Sequence, residues 1–238
     1  HTAEPSYSVE LTFTTWDGSL TDYDGNSYKT VQIGNQGWMA ENLKTTHYAD
    51  GIPIKQVENY NTFYWYGEGA ASYDALADFD GDGNVDSADG AAYVEQFGYL
   101  YTWLAANNEY PEGYMDWGGK AVTEAVEDVC PDGWRLPTAW DWEELVSLVG
   151  WESDKFKADT LWNHTVSEYR LGSDEFGFKA LPGGMGNPDN GYVGLFTSTG
   201  FYSTDELVVS LEGNLDYILL LNYVSSNYGA PVRCIKEK

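Results

Sequence analysis

The chain has 238 residues, 42% hydrophobic and 16% aromatic, enough to pack one large domain or two small ones and to exclude global disorder. A net charge of −26 with only 12 Lys and Arg argues against nucleic acid, whose phosphates need clustered cations, and against anionic membranes, while hard cations suit such a surface. No apolar run reaches the roughly 20 residues of a membrane span.

The chain begins at His1 rather than Met, as a mature secreted chain or a trimmed one would. Residues 6–16, SYSVELTFTTW, alternate: Tyr7, Val9, Leu11 and Phe13 share one face, the pattern of a strand. The stretch 17–28 is turn-rich. Residues 28–43 predict a hairpin with GNQG (34–37) as its turn and Trp38 and Met39 facing inward. Residues 87–106 predict a helix with a face of Ala91, Tyr93, Val94 and Phe97, a break at Gly98, and helical spacing resumed by Leu100, Trp103 and Leu104. In TAWDWEELVSLVG (138–150), Thr138 caps a helix whose apolar face is Trp142, Leu145, Val146 and Val149, ending at Gly150. After residue 176 the chain reads as strands and glycine turns. Helices in the middle and strands at both ends predict an α+β fold with antiparallel sheets. The two cysteines, Cys130 and Cys234, suggest one disulfide in a secreted chain, with two buried thiols as the alternative.

DGNSYKTVQIGNQGWMAENLKTTHYADGIPI (24–54), YWYGEGAASY (64–73), GYLYTW (98–103), VCPDGWRLPTAWDWEEL (129–145), DEFGFKALPGG (174–184) and VRCIK (232–236) together resemble the Fibrobacter succinogenes major paralogous domain. The resemblance implies a secreted protein with a C-type-lectin-like fold, no established enzymatic activity, and a structural disulfide between the cysteines. GWRLPTAWDWEEL is also similar to a segment of formylglycine-generating enzymes, but that chemistry needs reactive cysteines. Residues 1–19 lie outside the pattern as an N-terminal arm to a domain over 20–238, and about 74–97 are an insertion. FTSTGFYSTDE (196–206) departs from the Trp-rich segment common in the family.

The insertion contains DFDGDGNVDSAD (78–89). Asp78, Asp80, Asp82, Asp86 and Asp89 fall at positions 1, 3, 5, 9 and 12 of an EF-hand loop, Gly83 at position 6, and Asn84 at position 7 offers its carbonyl. The spacing resembles dockerin loops, which also end in Asp. Dockerins carry two loops and this chain has one, so a calcium staple is expected rather than cohesin binding. DYDGN (22–26) reads as a plain turn, with a second calcium turn as the alternative.

Three functional readings follow. The first is a non-enzymatic, calcium-stabilised surface protein, structural or adhesive, whose N-terminal strand adds to a neighbour's sheet to build a homo-oligomer or filament; an extra edge strand on its own sheet is the alternative. The second is a lectin-like module presenting Tyr192, Phe201, Tyr202, Tyr223, Asn227 and Tyr228 to a glycan or protein ligand. The third is a copper histidine brace using His1 with His47 or His164. The carboxylate pairs Glu143/Glu144 and Asp205/Glu206 read as solvated faces, and no nucleophile triad, P-loop or dinucleotide fingerprint is present, so no enzyme is expected.

Overall fold

The computed structural model describes residues 13–15, 20–54, 70–71, 87–108, 127–163, 171–187, 191–222 and 228–237. In chain order the elements are β1 (Phe13–Thr15), β2 (Leu20–Thr21), β3 (Ser27–Tyr28), β4 (Thr30–Ile33), β5 (Gln36–Met39), β6 (Ala70–Ala71), α1 (Ser87–Phe97), β7 (Leu100–Thr102), α2 (Trp103–Asn107), β8 (Trp134–Arg135) and α3 (Ala139–Val149). There follow β9 (Met185–Asn187), β10 (Gly191–Val193), β11 (Ser198–Tyr202), β12 (Leu207–Glu212), β13 (Leu219–Asn222), β14 (Gly229–Ala230) and β15 (Ile235–Lys236). The named strands pair antiparallel: β1-β4-β5-β15-β8, β10-β9-β14-β7-β6, β11-β12-β13 and β2-β3. This is the α+β fold expected from the sequence.

Among the described residues the two largest core clusters are parted by the strands, and the period-2 pleat explains how. Adjacent residues of one strand point to opposite faces. Trp38 joins a cluster with Trp142, Phe156, Phe178, Phe201 and Val209, while its neighbour Met39 joins one with Tyr101, Trp103, Tyr202 and Val208. Both faces of these strands are therefore dry. Trp38 and Trp142 meet at 4.6 Å between ring centroids and anchor α3 over the sheet. The Cys130–Cys234 disulfide lies in the other cluster and ties residues 104 positions apart.

Two local expectations shift. The β4–β5 turn closes at Gly34 and Asn35, so Gln36 and Gly37 are strand residues. Buried Gln36 donates from its side-chain amide to the Asp141 carbonyl (2.9 Å) and accepts from the Trp38 indole (3.1 Å), which repays drawing a polar side chain inward. The second shift concerns residues 100–102, which form β7 rather than resuming a helix. Gly98, at φ 75°, passes so close to the Leu43 carbonyl that a Cβ would lie 2.6 Å from it, and the Tyr99 N–H donates to that carbonyl at 3.1 Å. Tertiary pairing overrides the apolar spacing. On α1, Tyr93 and Phe97 are buried as expected and Ala91 faces solvent.

Arg233 is fully buried and touches every part of this arrangement. Its Nε donates to Asn42 Oδ1 (2.6 Å), one terminal nitrogen donates to the Met39 carbonyl (3.1 Å) and to the Phe178 carbonyl, and the other donates to the Lys179 carbonyl (2.8 Å). The guanidinium stacks over Phe178 and Phe201, 4.7 and 5.4 Å from the ring centres. Burial pulls its pKa down to about 9, partly opposed by Glu41 and Asp174, so it stays charged at neutral pH. Replacing it orphans the oxygens it serves. Arg233→Met is expected to cost about 3–5 kcal/mol in denaturant unfolding, and Arg233→Lys to recover little of it, because an ammonium lacks the planar fork. A loss below about 1 kcal/mol for either variant would refute this role.

Candidate functional site

Asp78, Asp80, Asp82, Asn84 and Asp86 lie outside the described residues, and Asp89 is placed as the third residue of α1. The helix expected to leave the loop is therefore present over Ser87–Phe97. Tyr7, Val9 and Leu11 also lie outside the described residues; Phe13 begins β1 and pairs with Ile33 of the chain's own sheet. Among the residues expected at a ligand surface, Tyr223 and Asn227 lie outside the described residues, and Tyr192 sits in β10 opposite Gly186. Phe201 and Tyr202 do not belong to a surface: β11 is dry on both faces, and they are 0% and 1% exposed. The Tyr202 hydroxyl donates to the carbonyl of half-buried Tyr228 at 2.6 Å. His1 and His164 lie outside the described residues, and His47 Nδ1 is engaged by Asp24 Oδ1 at 2.6 Å.

The DYDGN turn is a latch. Asp22 accepts from the Asn26 backbone N–H and side-chain amide (both 2.9 Å) and from the Tyr28 hydroxyl (2.5 Å). Asp24 accepts from the Thr46 N–H (2.5 Å), the hydroxyls of Thr46 (2.9 Å) and Thr45 (3.1 Å), and pairs with His47. These donors occupy the carboxylates in the way a metal otherwise would. Burial raises the Asp24 pKa, but Thr46, His47 and Thr45 together outweigh it and hold the carboxyl below its ordinary 3.8.

WRLPTAWD builds a helix start. Thr138 and Asp141 form a capping box, and the Arg135 fork grips Asp141 through two bonds of 2.8 and 3.0 Å. Burial raises Asp141, while Arg135 and Thr138 pull it below the usual range. Asp205 adds a further cap, accepting the Ala139 N–H at 2.8 Å, and Glu144 accepts from Gln36 at 3.3 Å. One member of each carboxylate pair noted in the sequence thus serves the framework.

Asn42 couples α1 to the core. Its oxygen is held by Arg233 and its amide donates to the Phe97 carbonyl (2.7 Å), while the Tyr93 hydroxyl reaches the Gly183 carbonyl (2.8 Å). Beside this junction opens a cavity of about 280 Å³ between the 40–44 segment, the end of α1, residues 158–160 and the 179–181 turn. Neither Asn42, Lys179 nor Arg233 was singled out in the sequence. Each lies inside or beside a stretch that carries the family likeness, which marked the region but not the role.

A family model described as the Fibrobacter succinogenes major domain matches residues 31–236. No curated protein and no solved structure matches the chain.

Asp24 and Asp141 ionise more readily folded than unfolded. The stability they contribute is complete above about pH 4 and is lost as pH falls through the folded values. Asp24→Asn and Asp141→Asn are each expected to cost about 1–2 kcal/mol at neutral pH, with the difference from wild type shrinking below about pH 4. Thermal melts across that range check this, and a difference that stays constant into acid would refute it.

Proposed function

The chain belongs to the Fibrobacter succinogenes major domain family, and from that membership we propose that it is a secreted, non-enzymatic surface protein with a C-type-lectin-like fold. Its role is structural or adhesive: calcium pins its acidic insertion, and its N-terminal strand joins copies into an extracellular filament. One observation carries the assembly reading. β1 is the outermost strand of its five-stranded sheet, and among the described residues nothing pairs with its far side. Backbone N–H and C=O groups on such an edge are a template for another strand. Tyr7, Val9 and Leu11 precede this edge in the same alternating stretch of sequence.

The seating of α1 supports a calcium staple rather than a sensor. A sensor helix must be free to swing, whereas α1 is tied to two separate segments, through the Phe97 carbonyl to Asn42 and through the Tyr93 hydroxyl to Gly183. The framework duties of Asp24, His47, Arg135, Asp141 and Arg233 support a non-enzymatic reading, since each is engaged by partners that fix the fold.

At millimolar calcium a site of Kd ~10⁻⁴ M stabilises by about 1.4 kcal/mol, or roughly 3–6 °C for a chain of this size. Excess EDTA is expected to lower the melting temperature by that amount and to expose the 74–86 segment to proteolysis; an unchanged melt would overturn the staple. In calcium, light scattering of the full chain is expected to show assemblies that deletion of residues 1–12 abolishes. A persistent monomer would overturn the filament.

A further inference from the structure

We infer that the cavity beside Asn42 is a binding site for one neutral sugar ring at the end of a glycan. Among the described residues, none of those expected at a ligand surface lines it, and the inference does not depend on calcium or on assembly.

The charges around the cavity balance. Lys44 pairs with Glu95 at 2.9 Å and Lys29 with Glu41 at 3.7 Å, while Lys179 and Asp159 complete its rim. Cations and carboxylates are equal in number among the described lining residues, in a chain whose net charge is −26. A charged ligand gains nothing net from such a rim. A polyol does, because each hydroxyl donates to a carboxylate and accepts from an ammonium at once. Ala40, Ala158 and Leu181 give the cavity an apolar side suited to the C–H face of a pyranose. At about 280 Å³ it sits just below the roughly 300–1,000 Å³ of ordinary small-molecule sites, which suits a single ring rather than a run of sugars.

Two further observations point to binding rather than to a gap in packing. Lys179 is held at φ 52°, a conformation a lysine rarely adopts. Asp174 fixes it by accepting its N–H at 2.8 Å, and Arg233 fixes it by donating to its carbonyl at 2.8 Å. Strain of this kind persists where the surroundings impose it, and it clusters at ligand sites. Lys179 makes no side-chain ion pair within 4.0 Å among the described residues, so its ammonium is available at the rim. In addition, Glu95 and Gln96 reach the rim from α1, within the stretch that departs from the family pattern.

The test uses the full chain in calcium with a panel of methyl glycosides of the common hexoses, N-acetylhexosamines and hexuronic acids, followed by ligand-observed NMR and calorimetry. Binding of at least one neutral glycoside is expected. Lys179→Gly removes the ammonium while easing the backbone, so it should weaken that binding about tenfold or more, the scale of one charge-assisted hydrogen bond, without lowering the melting temperature. Gln96→Ala, on the exposed end of α1, should weaken it independently. Failure of the wild type to bind any neutral glycoside would overturn the inference. So would binding left intact by both variants, or binding confined to sugars that carry a carboxylate.

Discussion

A buried guanidinium that must keep its charge governs the layout of this fold. Removing Arg233 from water is costly, and no carboxylate bonds to it among the described residues. Compensation comes from carbonyls of the 39 and 178–179 segments, the Asn42 amide and two aromatic faces, each of which must be in place at once. The hairpin, the turn before β9 and the C-terminal strand are therefore fixed relative to one another by a single side chain. Lys157 repeats the device on a smaller scale: it is fully buried, bonded to Asp154 and to the Leu215 carbonyl, and sits over Trp162. Two of the chain's few cations thus lie inside, which leaves the exterior more acidic than composition alone suggests and places a favourable long-range field around each buried charge.

What the sequence made legible was the local chemistry. Thr138, the apolar face of α3 and Gly150 are signals carried within one helix, and all appear as read. The helix over Ser87–Phe97 was legible for the same reason, and the disulfide from a pair of cysteines and the family likeness. What escaped was set by distant partners. Leu100, Trp103 and Leu104 keep helical spacing, yet Leu100 pairs in a strand because β14 and β6 flank it. Phe201 and Tyr202 sit among polar loop residues and read as surface, yet their strand is covered on both sides. Alternation cannot report a strand whose two faces are equally dry. Arg233 looked like one more charge, because nothing local distinguishes a buried cation from an exposed one.

Where the structure describes them, the stretches that carry the family likeness are committed to framework. GWRLPTAWD starts a helix, DGNSY with the residues up to His47 forms a latch, and VRCIK supplies the buried cation and the disulfide partner. A scaffold so fully engaged has little left to vary without loss of fold. The cavity rim where α1 meets Lys179 is built on that scaffold.

The place of β15 has a consequence for how the chain reaches its native state. This strand lies between β5 and β8, so the sheet's interior position is filled by residues 235–236. Arg233 and Cys234, which lock both cores, immediately precede it. Until this stretch is in hand nothing joins β8 to β5, and the contacts that close the sheet span nearly the whole domain. A polypeptide that emerges N-terminus first therefore cannot close this sheet, or bring Cys234 to Cys130, until residues 233–236 have followed the rest of the domain.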